Sequence, residues 1–82
     1  MYQTLHETIQ VIALFSQGNC TPKKYLWRGR TFFIDQITLK SDVKDGGVKW
    51  RYFSVVANDS NVYRLSWNLD SLEWFVEEVW ID

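Results

Sequence analysis

The segment Thr21-Pro22-Lys23-Lys24-Tyr25-Leu26-Trp27-Arg28-Gly29-Arg30 brings four cations and two large aromatics together with no acid among them. Cations contact phosphates and aromatic rings stack on bases, so Lys23, Lys24, Trp27, Arg28 and Arg30 form a candidate surface for single-stranded nucleic acid. Tyr25 offers a second stacking ring, and Arg51 and Arg64 would enlarge the surface if their strands lie alongside. Gly29, between two arginines, supplies the positive φ of a tight turn. Trp27 and Arg30 would then face each other across strands, with a guanidinium able to lie over the indole. In the competing reading the cations pair across the sheet with Glu73, Glu77 and Glu78, and Trp27 belongs to the core.

Other reactive side chains are sparse. His6 is the single histidine and Cys20 the single cysteine, and their separation fits no zinc motif. Asp42 and Asp45 lack the ligand pattern of a calcium loop and read as solvated charges. Glu77 and Glu78 are adjacent, so on a regular strand they point to opposite faces and form no carboxylate pair. Gly46-Gly47 lacks the lysine and hydroxyl residue of a phosphate loop. No catalytic residue, metal or cofactor is predicted, and the chain is not read as an enzyme.

The elements that hold these residues are strands. Apolar residues alternate through Val48–Ala57, Val62–Trp67 and Leu72–Ile81, with Asn58–Asn61 and Asn68–Ser71 as polar turns between them. Thr31–Leu39 reads as a further strand, followed by a loop over Lys40–Gly47. Residues 5–15 carry both helical spacing and a branched apolar run, and the strand is the favoured reading. The fold class is therefore all-β: a twisted antiparallel sheet or small open barrel of five or six strands, with a short N-terminal helix as the alternative at residues 5–15. Residues 1–82 form one domain, because a chain of 82 residues has no surplus for a second core. Aromatics make up 17% of the chain and must supply that core, with Trp50, Trp67, Trp74 and Trp80 placed inside and an exposed patch as the alternative for Trp80.

Charge narrows the function classes. A net charge of −1 gives the whole molecule no pull toward nucleic acid or anionic lipid, yet the basic segment near residue 25 contrasts with an acidic stretch over 70–82. A single cysteine excludes an intrachain disulfide and fits a reducing, cytoplasmic location. No signal peptide or apolar membrane-spanning run is visible, so no membrane association is predicted.

Pro22, then Trp27-Arg28-Gly29-Arg30, Trp50-Arg51, Tyr63-Arg64-Leu65 and a terminal strand holding Trp74 and Val79 together resemble a family of small bacterial β domains. That family is marked by a Trp-Arg-Gly-Arg motif and occurs alone or at the ends of proteins related to error-prone DNA polymerases. The resemblance covers most of residues 20–80 and implies a setting near DNA damage tolerance, with no activity attached. The chain itself holds no polymerase segment. The function expected is a non-catalytic interaction module, docking an unknown protein partner or a second copy through a sheet edge or Trp80. The alternative is single-stranded nucleic-acid binding through residues 23–30.

Overall fold

Residues of opposite pleat alternate along nearly the whole chain, and the computed structural model, which describes residues 1–81, is built from six strands. They are β1 Tyr2–Ser16, β2 Asn19–Trp27, β3 Arg30–Asp45, β4 Val48–Ala57, β5 Val62–Asn68 and β6 Trp74–Trp80. Every neighbour is antiparallel, and the order β1-β2-β3-β4-β5-β6 closes into a ring when β6 pairs with β1. Residues 5–15 lie in β1, so the helical alternative is ruled out. Their spacing of three and four coexists with bulges, which reset the pleat between Thr4 and Glu7 and between Ile12 and Ala13.

Three connections are two-residue turns with positive φ at both positions: Gln17-Gly18, Arg28-Gly29 and Gly46-Gly47. This is the hairpin turn whose twist matches that of its flanking strands. It also corrects the loop expected over Lys40–Gly47, because β3 stays paired with β4 as far as Asp45↔Val48.

The ring is uneven. β1 pairs with β6 through Tyr2–Ile9 and with β2 through Gln10–Ser16. β2 meets β3 only from Lys24↔Phe33 to Trp27↔Arg30, and beyond that a wedge opens between Thr21–Lys23 and Ile34–Ile37.

The core fills the ring with Ile9, Tyr25, Phe32, Phe53, Val55, Ala57, Tyr63, Leu65, Val76 and Val79. Tyr25 stacks on Phe32 at 5.2 Å, and Tyr63 meets both rings edge-on at 5.8 and 5.6 Å. Towards the other end, Trp67 stacks on Trp74 at 5.0 Å and Phe53 lies 5.7 Å from Trp74. Full burial of one large apolar side chain stabilises by about 1.5–3 kcal/mol, so this cluster carries the fold.

Of the four tryptophans placed inside from the sequence, Trp67 is buried and Trp74 packs against the core. Trp80 lies outside, more than half exposed, and Trp50 sits half-buried on the outer surface beside Phe75. The pleat decides this: Phe53, Val55 and Ala57 are the inward residues of β4, so Trp50 and Tyr52 face out.

Two polar atoms in the interior, the Tyr25 hydroxyl and the Trp67 indole nitrogen, have no hydrogen-bond partner among the described residues. Burial pushes the Tyr25 phenol far up, and burial and the nearby Asp59 push Tyr63 up to about 12. An unmatched buried hydroxyl costs about 1–3 kcal/mol. Tyr25→Phe is therefore expected to leave stability unchanged or raise it by up to that amount in urea unfolding. Leu65→Ala, which empties a fully buried position, is expected to lower it by about 2–5 kcal/mol.

Candidate functional site

The turn Arg28-Gly29 closes β2 onto β3, and Trp27 and Arg30 are the pair that flanks it, as the sequence suggests. Their chemistry is governed by a residue that carries no local mark in the sequence. Glu7, from β1, accepts a hydrogen bond from Trp27 Nε1 at 2.9 Å and two from Arg28, Nε at 3.1 Å and Nη2 at 2.6 Å. The Arg28 guanidinium also lies 4.6 Å from the Trp27 ring centroid. The arginine bonds, and then the indole bond, hold the Glu7 carboxyl below its ordinary range, and the same contact raises Arg28.

The expected pairing of these cations with Glu73, Glu77 and Glu78 does not occur. β2 has β1 and β3 as neighbours, and β1 separates it from β6. Glu77 bonds His6 and Ser66, while Glu78 lies 3.7 Å from Arg64. Arg51 forms a two-pronged contact with Asp42 at 2.8 and 3.1 Å and lies over Trp67, so neither Arg51 nor Arg64 joins the basic segment. Asp42 is likewise a paired charge rather than a solvated one.

Trp27 is half-buried against Phe32 and Tyr63, and Tyr25 is fully buried, so neither presents an open ring face for stacking. Among the described residues no carboxylate pairs with Lys23, Lys24 or Arg30. Lys24 lies over the Phe33 ring at 5.6 Å and Arg30 over Phe32 at 5.1 Å.

Around Lys24 the outer face of β1, β2 and β3 carries exposed apolar side chains among polar ones. Ile12, Lys24 and Phe33 stand opposite one another across the three strands, and Gln10, Leu26 and Thr31 form the next row. Ile12, Leu26 and Phe33 are 59%, 42% and 51% exposed, and Gln10, Ile12, Lys24, Leu26 and Thr31 border a shallow depression. Sequence reading missed this patch because its residues come from three strands whose register only the fold supplies.

Trp80 stacks at a tilt against Tyr2, 4.7 Å between centroids, on the outer face where β6 meets β1. Both rings are exposed, so a second aromatic patch exists apart from the first.

A polar cluster sits at a bulge shared by β1, β6 and β5. His6 takes φ 68°, and Glu77 is passed over in both ladders, so Val76 and Val79 both point inward while Glu77 and Glu78 both turn outward. This reverses the expectation that the two glutamates occupy opposite faces. Glu77 accepts Ser66 Oγ at 2.6 Å and contacts His6 Nδ1 at 2.7 Å, with the imidazole stacked on Phe75 at 4.7 Å. Serine and histidine each bond the carboxylate rather than each other. The nucleophile-to-imidazole contact of a catalytic triad is therefore not formed.

These features define a small all-β domain with a closed, uneven six-stranded sheet and exposed apolar side chains at Ile12, Leu26 and Phe33 and at Tyr2 and Trp80. Compared with known proteins, the chain matches no family model, no curated protein and no solved structure.

The Glu7 contacts carry a pH signature. The folded-state carboxyl lies below its ordinary value of 4.5, so the stabilisation it gives is complete above that value and is lost as pH falls through the lower folded one. The Trp27 indole N–H resonance is expected to titrate with a midpoint below 4.5 and to lose that titration in Glu7→Gln. A midpoint at or above 4.5 would show that the contact is not formed in solution.

Proposed function

We propose that the domain is a non-catalytic interaction module that docks an acidic, apolar-edged protein surface on the outer face of β1, β2 and β3. The observation that carries this reading is the row Ile12–Lys24–Phe33 beside Leu26, exposed apolar groups around a cation that no carboxylate among the described residues neutralises. Apolar patches bordered by charge are characteristic of protein-binding surfaces, and the cations would select an acidic partner. The Trp-Arg-Gly-Arg segment, which resembles that of domains occurring alone or at the ends of proteins related to error-prone DNA polymerases, is what suggests a partner within a DNA-processing assembly.

Nucleic-acid binding through residues 23–30 is the second reading, supported by Lys24 over the exposed Phe33 ring and by Lys23 and Arg30, which no carboxylate pairs among the described residues. It has less support, because Glu7 neutralises Arg28 and occupies the Trp27 indole.

The test places a photo-crosslinking side chain at Leu26 in cells, with Asn68 at the far end of the sheet as control. The expected result is one discrete protein captured from Leu26 alone and lost in Lys24→Glu/Phe33→Asp. Equal capture from both positions would overturn the docking reading. In parallel, anisotropy of a labelled single-stranded oligonucleotide decides the second reading. Three contacted phosphates would give log affinity a slope of about −2 against log salt, whereas a flat response removes nucleic acid as the ligand.

A further inference from the structure

β3 spans 16 residues, but β2 covers only its first turn-proximal stretch, Arg30–Phe33. Extending that register would bring the Gln17-Gly18 turn level with Lys40, so the strand beyond Ser41 lies past the reach of β2. Here β3 pairs with β4 alone, without a bulge from Leu39↔Ser54 to Asp45↔Val48. The two-residue turn makes Asp45 and Val48 a hydrogen-bonded pair, so counting back by alternation, Val43 and Ser41 face β4. The N–H and C=O groups of Lys40, Asp42 and Lys44 point away from it, towards the open edge. Among the described residues no proline or covering loop blunts this edge.

We propose that the free edge of β3 pairs with β3 of a second copy, antiparallel and centred on Ser41. In this register Lys40 meets Asp42 of the partner copy and Asp42 meets its Lys40, all four among the residues whose backbone groups face outward. On the outer face Leu39 and Val43, 61% and 43% exposed, cover each other across the axis in both directions. The alternatives are poorer. Centring on Asp42 sets Lys40 against Lys44 and Asp42 against itself, and like charges directly opposite destabilise a sheet. Centring on Val43 leaves Leu39 bare. Odd registers place outer residues against inner ones, against the pleat. The symmetric register makes the contact self-complementary and closed, so it stops at a dimer. It is independent of the Ile12–Lys24–Phe33 patch.

Charge reversal tests both the contact and its register. Sedimentation of the wild type is expected to show a concentration-dependent dimer. Lys40→Asp alone and Asp42→Lys alone are each expected to weaken it at least tenfold. A one-to-one mixture of the two variants places opposite charges at all four positions and is expected to restore the dimer. Asp42→Lys also removes the Arg51 partner, so circular dichroism of each variant checks that the sheet is retained. Ser41→Cys adds a readout free of charge effects. Directly opposed residues of a non-hydrogen-bonded pair lie about 4.5 Å apart between Cα atoms, within disulfide range, while the native Cys20 is buried. Oxidation is expected to cross-link Ser41→Cys and not the wild type. A wild type that stays monomeric up to about 1 mM would overturn the proposal. So would a mixture of folded variants that fails to dimerise, or cross-linking from Val43→Cys in place of Ser41→Cys. Loss of the docking patch in Lys24→Glu/Phe33→Asp leaves the dimer intact.

Discussion

The ring closes because β1 serves two neighbours in succession. Its first half completes the ladder of β6 and its second half begins that of β2, with the change falling between Ile9 and Gln10. Ile9 is buried at that point, so the handover is anchored in the core. Without it the sheet would be an open meander with two exposed edges, and the cluster of Tyr25, Phe32 and Tyr63 would lose one wall. The bulge at His6 and Glu77 belongs to the same constraint. It bends β1 around the ring while keeping Leu5 packed against the core on one side and Ile9 buried on the other.

Closure also determines where charges settle. Because β1 lies between β2 and β6, the acidic C-terminal strand cannot reach the basic hairpin, and the single acid on β1 takes that role. Glu7 binds the indole and the guanidinium that the Trp-Arg-Gly-Arg segment presents, converting Trp27 and one of the four cations of an apparently free basic surface into a fixed structural contact. Arg51 and Arg64 are absorbed in the same way by Asp42 and Glu78. What is left unneutralised is smaller than the sequence suggests, and Lys24 within it lies among apolar neighbours.

Much of the strand plan was legible. The alternation in Val48–Ala57 and Val62–Trp67 and the turn at Gly29 matched because period-two patterning and positive φ are local properties. The extent of β3 was not legible. Lys40–Asp45 reads as a polar loop, since its outward backbone edge and solvent-facing side chains leave no apolar alternation to detect. Alternation does not say which of its two faces turns inward, so Trp50 was placed on the wrong side, and a bulge at Glu77 turns Trp80 away from the face of Trp74 and Val76, leaving it in the exposed alternative.

Composition and alternation by themselves determined an all-β chain with an aromatic core, because those properties act residue by residue along each strand. The tertiary structure alone decided which strand neighbours which, and with it the partner of every charge, the face of every tryptophan and the patch formed by Ile12, Lys24 and Phe33. The reason is that antiparallel pairing is directional but not addressed. Each strand's hydrogen-bonding groups accept any neighbour, and only the simultaneous burial of Ile9, Tyr25, Phe53, Leu65 and Val76 selects one closed order.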